Sequence, residues 1–164
     1  MQFGQGLIHN FSWRKGDVLA FFTPNSIDTP LVNVGLQWAA GVASPANPTY
    51  TVEELARQLK DAGAKALITQ TPFLDASRKA AQIAGLPEER IILLGEGRDS
   101  RFKHWTDITA EKAWIKPKKP AIDPKKDLAY LVYSSVSSYA YSLAHWLVTP
   151  LLRSPRAPLV SPRV

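Results

Sequence analysis

Short, continuously apolar runs alternate with amphipathic stretches through the first 135 residues of this 164-residue chain, and few folds satisfy that alternation. Asp17-Val18-Leu19-Ala20-Phe21-Phe22-Thr23 lies between Gly16 and Pro24, as expected of a strand covered on both faces. After Pro24-Asn25-Ser26, the residues Ile27, Leu31, Val34 and Trp38 recur at helical steps, with Ser26 placed to cap the start and Gly41 the end. Val42 to Ser44 reads as a short strand, and Pro45 and Pro48 prevent its continuing as a central one. Thr51-Val52-Glu53-Glu54 is a capping box, followed by the apolar stripe Val52, Leu55, Ala56 and Leu59 and a stop at Gly63. Lys65 to Thr69 is the next strand. Thr71-Pro72 supplies a cap and a first-turn proline for a helix running to about Gly85. Arg90 to Leu94 and Leu128 to Tyr133 are further strands, and residues 95–127 read as an irregular polar excursion. Strands separated by helices specify β-α-β units, so the expected class is α/β: a partial doubly wound, mostly parallel sheet with flanking helices.

Composition divides the chain. All 14 acidic residues and all nine glycines lie within residues 1–135, whereas residues 136–164 hold three Arg and no acid. Half of the net charge of +6 therefore belongs to this tail. The expected organisation is a partial domain over 1–135 and an unrelated low-acid, Pro- and Arg-containing tail over 136–164. The chain has no Cys, which excludes a disulfide scaffold, a thiol nucleophile and a Cys-ligated zinc site. It has no uncharged apolar run of about 18 residues and no basic-then-apolar leader. A cytoplasmic location without a membrane span is the expectation.

Candidate sites were sought at the carboxyl ends of the strands, where parallel sheets bind ligands. Gly95-Glu96-Gly97 follows a strand but lacks the third glycine and the helix of a dinucleotide fingerprint, so a simple turn is expected. The six Lys between Lys112 and Lys126 have Trp114 as their aromatic neighbour and are broken by prolines. A solvated loop is expected there, not a nucleic-acid interface. His9, His104 and His145 lack metal-ligand spacing, and no Gly-x-Ser-x-Gly elbow exists. No catalytic residue and no metal ligand is assigned. One place remains, where the strand Asp127 to Val132 runs into Tyr133-Ser134-Ser135. A phosphate loop can start at such hydroxyls, but it needs glycines to bring backbone amides close to an anion. None occurs from Val136 to the end.

Those residues carry a resemblance. Gly16-Asp17-Val18, Pro24-Asn25-Ser26, Ala39-Ala40-Gly41-Val42, Pro45-Ala46-Asn47-Pro48-Thr49-Tyr50-Thr51 and Glu54-Leu55 are similar to the N-terminal region of the adenylate-forming acyl-CoA ligases, most like the 4-coumarate–CoA ligase-like enzymes. So are Gln58-Leu59-Lys60-Asp61-Ala62-Gly63-Ala64-Lys65 and Asp127-Leu128-Ala129. The resemblance covers about three-quarters of the chain, from about Trp13 to Ser135. It implies ATP, Mg²⁺ and CoA as cofactors of the full-length family and a small carboxylic acid as substrate. The acid attacks the α-phosphate of ATP to give an acyl-adenylate and pyrophosphate, and the CoA thiol then displaces AMP.

In that family Tyr-Ser-Ser continues as Gly-Thr-Thr-Gly-x-Pro-Lys-Gly, the loop that holds the ATP phosphates. Here only Ser134 and Ser135 stand where it begins, as remnants of a cofactor-binding site. The expectation is a truncated ligase-derived chain that is inactive alone and retains no cofactor. Val136-Ser137 is what GTAAGT or GTGAGT encodes, so a translated intron or shifted frame is one origin for the tail. A short interfacial segment over Tyr139 to Leu152 is another. The alternative function is a non-catalytic binding or regulatory module that pairs with a full-length ligase through an exposed sheet edge. A basic nucleic-acid binder is the least favoured.

Overall fold

A computed structural model of the chain describes residues 2–110 and 119–133. In chain order the elements are α1 (Gln2–Phe11), β1 (Val18–Phe22), α2 (Thr29–Trp38), β2 (Val42–Ala46), α3 (Val52–Asp61), β3 (Ala64–Thr69), α4 (Leu74–Ala84), β4 (Ile91–Leu93), β5 (Lys103–His104) and α5 (Trp105–Ala110). Residues 1–132 form one compact unit; of the second, residues 133–164, only Tyr133 is described.

The five strands form one parallel sheet in the order β2-β1-β3-β4-β5. The step from β1 to β2 runs one way across the sheet and the steps from β2 to β3 and β3 to β4 run the other. Right-handed crossovers then put α2 on one face and α3 and α4 on the opposite face. The core divides accordingly. Leu19, Phe21, Ile68 and Ile92 pack with Leu7, Val32, Leu36 and Ile108 on the α1, α2 and α5 side. Ala20, Phe22, Leu67 and Leu93 pack with Leu55, Leu59, Ala80 and Ala81 on the α3 and α4 side. This is why β1 is apolar at every position: each of its five residues is buried, alternating between the two layers.

Local signals act as expected in several places. Thr51 Oγ1 accepts from Glu54 N–H at 3.2 Å while Glu54 Oε2 accepts from Thr51 N–H at 2.8 Å, the full capping box. Gly85, at φ +75°, ends α4.

The structure corrects the sequence reading in five places. Of the stripe Ile27, Leu31, Val34 and Trp38, only Trp38 packs against the core: Ile27 is 90% exposed and Val34 64%, while Val32, Gly35 and Leu36 are buried. Helix α2 begins at Thr29 with Pro30 in its first turn, after Asp28 rather than a Ser26 cap. Gly41 matters for space, since a Cβ there would stand 2.3 Å from a Leu36 methyl. Strand β2 runs through Pro45. Ala43 directs its N–H and C=O to the outer edge, so by alternation the missing N–H of Pro45 falls on that side and removes no bond to β1. Thr71 does not cap α4; Thr71–Phe73 is a 3-10 turn with no side-chain cap bond.

Three further elements, α1, β5 and α5, were not anticipated. Helix α1 presents Phe3, Leu7 and Phe11 to the core at steps of four. It lies very close to its neighbours: a Cβ on Gly4 would sit 2.2 Å from Gly35 O, and one on Gly6 2.2 Å from Ile108 O. Within the expected polar excursion, β5 and α5 form because Phe102, His104 and Ile108 are buried and Asp107 accepts from the His104 N–H at 3.1 Å. The expected strand Leu128 to Tyr133 shows one parallel bridge to β2, between Tyr130 and Ala43.

Candidate functional site

Parallel strands bring their carboxyl ends, and the loops that follow, to one end of the sheet. That end collects Thr23 to Ser26 after β1, Asn47 to Tyr50 after β2, Gln70 and Thr71 after β3, and Gly95 to Gly97 after β4. The connections leaving β1 and β3 run in opposite directions, which makes the crevice between these strands the switch point at which open α/β sheets bind ligands.

Polar groups of the chain itself bridge this crevice. Gln70 Nε2 donates to Thr23 Oγ1 at 2.7 Å, and Thr69 Oγ1 donates to Phe22 O at 2.9 Å. Ser77 Oγ donates to Thr69 Oγ1 at 3.0 Å, and both residues are fully buried. Gly95 takes φ +84° to turn the chain after β4, and a Cβ on Gly97 would stand 2.1 Å from Thr71 Oγ1. His104 braces this turn. Its Nε2 donates to Gly95 O at 2.7 Å, which leaves Nδ1 to accept from the Thr106 hydroxyl at 2.7 Å. The hydrogen bonds to both ring nitrogens give His104 a structural role, and His9 lies exposed on α1. Gly95-Glu96-Gly97 is the expected turn.

An ATP triphosphate requires several converging amides with no Cβ in the way, together with a counter-cation. The glycines at this end are packed against Gln70 and Thr71. Among the described residues no three His, Cys, Asp or Glu side chains are grouped to hold a metal ion. No step of the chemistry is assigned to these residues.

The segment 128–132 reaches the same end of the sheet. Ala43 N–H donates to Ala129 O at 2.9 Å and Leu131 N–H donates to Ala43 O at 2.8 Å, so the segment runs parallel along the outer edge of β2. Ser134 and Ser135 follow and lie outside the described residues, as do Lys112, Lys116 and Lys118 of the lysine-rich stretch, His145 and the tail 136–164. Helix α2 holds this segment with polar side chains four apart: Asn33 Nδ2 donates to the Tyr130 hydroxyl and Gln37 Nε2 donates to Ala129 O at 2.9 Å. The spacing of Asn33 and Gln37 was the available signal for that seam.

Three carboxylates are held below their ordinary range by cations. The Arg101 guanidinium donates to Asp99 and lowers its pKa to about 2. Arg98 does the same, in direction, for Asp107. Lys15 lowers Asp127 through a 2.6 Å ion pair that joins the start of the edge segment to the turn before β1.

The family model for AMP-binding enzymes matches residues 1–137. A 4-coumarate–CoA ligase-like protein of Arabidopsis thaliana is 33% identical over 95 residues, which are 58% of this chain and 16% of that protein. A long-chain-fatty-acid–CoA ligase of Haemophilus influenzae is 26% identical over 137 residues, 84% of this chain and 24% of that one. The matched part is thus a quarter or less of these two relatives. Among solved structures, an anthranilate CoA ligase in complex with anthranoyl-AMP superposes at a TM-score of 0.70 with 22% identity, covering 82% of this chain and 25% of that one. A long-chain-fatty-acid–CoA ligase from Archaeoglobus fulgidus superposes at 0.68 over the same shares. The match over residues 1–137, on a parallel sheet of the same fold, places the chain in the AMP-binding enzyme family.

Proposed function

We propose that residues 1–135 carry a partial N-terminal domain of an ATP-dependent acyl-CoA ligase, and that the 164-residue chain does not complete the ligase reaction by itself. The reading is supported above all by one observation: the family match covers residues 1–137, and Val136-Ser137-Ser138-Tyr139, which follow Ser134-Ser135, hold none of the glycines that a phosphate loop requires. For the full-length family the reaction joins a small carboxylic acid to CoA through an acyl-adenylate, with ATP and Mg²⁺ as cofactors. Charge develops on phosphate oxygens in that reaction, so rate depends on amides and cations fixed in advance around them. Removing such a set costs several kcal/mol of transition-state stabilisation, on the order of three or more decades in rate. Ser134 and Ser135 are the cofactor-binding remnant in this reading, and no catalytic residue is assigned. Incubating the purified chain with ATP, CoA and either hydroxycinnamic or fatty acids tests it. No acyl-CoA above the enzyme-free blank is expected, and turnover proportional to protein concentration refutes the reading.

A non-catalytic binding or regulatory module that pairs with a full-length ligase through an exposed sheet edge is the second reading. What favours it is the exposed apolar outer face of α2 beside an uncapped sheet edge. Cytoplasmic location and the separate origin of residues 136–164 remain parts of the proposal; no helix among the described residues is long and apolar enough to cross a membrane.

A further inference from the structure

We propose that the outer edge formed by Leu128 to Val132 pairs antiparallel with the same segment of a second copy of this chain, continuing the sheet across a twofold axis near Tyr130. The inference takes from the second reading only its exposed sheet edge, puts a second copy of this chain in place of the full-length ligase, and is independent of any ligase activity. Ala129 O and Leu131 N–H are used toward β2. The chain bends at Ala129, and main-chain groups alternate sides along the extended chain after it, so the N–H and C=O of Tyr130 and Val132 point away from the sheet. None of these outward groups has a partner among the described residues. A twofold axis at Tyr130 sets Tyr130 opposite its mate, so that this pair exchanges both hydrogen bonds.

The side chains suit the same arrangement. Tyr130 lies on the α2 face of the sheet, where its hydroxyl meets Asn33, and Val132 shares that face by alternation. Val132 is 66% exposed, Tyr130 45% and Leu128 39%. From Leu128 to Tyr133 no charge or proline blunts the edge, the devices by which sheet proteins ordinarily prevent such pairing. An uncharged patch can face its own copy without repulsion.

Area decides the strength. At these exposures Leu128, Tyr130 and Val132 offer on the order of 300 Å² of mostly apolar surface per copy, well below the ~800 Å² per partner of a standard stable interface. The dimer is therefore weak and concentration-dependent. A full-length ligase is the poorer occupant, because the solved relatives already contain their own counterpart of 82% of this chain, with its sheet in place.

The test is sedimentation of the whole 164-residue chain from about 2 to about 200 μM, spanning the range in which an interface of this size dissociates. The wild type is expected to pass from monomer to dimer, with the amides of Tyr130 and Val132 gaining hydrogen-exchange protection as it does. Val132→Lys, which places a charge on the edge, is expected to weaken dimerisation at least about tenfold. Ile83→Lys, a comparable change at an exposed site on α4, is expected to leave it unaltered. A wild type that stays monomeric throughout, a dimer indifferent to Val132→Lys, or a dimer that leaves those two amides unprotected overturns the proposal. Preferential binding of a full-length acyl-CoA ligase over self-association overturns it as well.

Discussion

Leu36→Ala and Leu31→Ala remove the same three carbons from one helix, five residues apart, and should have very different consequences. Leu36 is fully buried among Leu7, Val32 and Phe3, with a methyl pressed against Gly41. Leu31 is 58% exposed on the outer face of α2. Losing three buried carbons costs about 2.4 kcal/mol in transfer free energy at ~0.8 kcal/mol per methylene. The cavity left behind adds about 1.5 kcal/mol for the ~60 Å³ vacated, less whatever collapse recovers. Leu36→Ala is therefore expected to destabilise the domain by about 3 kcal/mol, a large share of the ~5–15 kcal/mol that holds a domain together. Leu31→Ala is expected to change stability by less than about 1 kcal/mol, since little area returns to water and alanine favours the helix. Urea unfolding followed by tryptophan fluorescence, at a concentration low enough to keep the chain monomeric, reads both values. Equal losses, or a larger loss for Leu31→Ala, would show that the stripe read from the sequence faces the core and that α2 is turned the other way.

Three further outcomes follow from the contacts described. Thr51→Ala removes half of the capping box and should cost about 1 kcal/mol by the same unfolding assay, whereas Thr51→Ser should retain most of the stability. Gly6→Ala gains up to ~1 kcal/mol of helix propensity but forces a methyl to within 2.2 Å of the Ile108 carbonyl oxygen, so a net loss of about 1–2 kcal/mol and a lower melting temperature are expected. Asp99, Asp107 and Asp127 are all lowered in the folded chain, so their ion pairs contribute above the unfolded carboxylate pKa near 3.8 and are lost as pH falls through the folded values. Stability should decline from about pH 4 toward about 2, and Asp127→Asn should flatten part of that decline in an acid titration followed by circular dichroism.

The parallel sheet was legible because its strands are buried on both faces, and a run such as Val18 to Phe22 has few other uses. The capping box was legible because both of its bonds are local. The phase of α2 was not. Two stripes satisfy a helical period, Ile27-Leu31-Val34-Trp38 and Val32-Leu36-Ala39, and only the approach of α1 across Gly35 decides between them. Helix α1 itself carries a plain signal, Phe3, Leu7 and Phe11, at steps of four. Strand β5 has two residues and α5 six, too short for any period to register, and only burial of Phe102, His104 and Ile108 defines them. At the strand ends, chemistry recognisable from residue type was read with the correct sign: Gly95-Glu96-Gly97 is a turn. Its brace by His104 depends on a contact nine residues away that no motif encodes.

ATP–pyrophosphate exchange, driven by a carboxylic acid in the absence of CoA, isolates the adenylation step and tests the account most directly. The folded 164-residue chain, its cooperative unfolding confirmed beforehand, is expected to give no exchange above the blank with hydroxycinnamic or fatty acids, because Val136 and the residues after it supply no glycine for a phosphate cradle. Acid-dependent exchange that scales with the chain's concentration would contradict that account, and would mean that the chain binds and activates ATP without the loop its family uses.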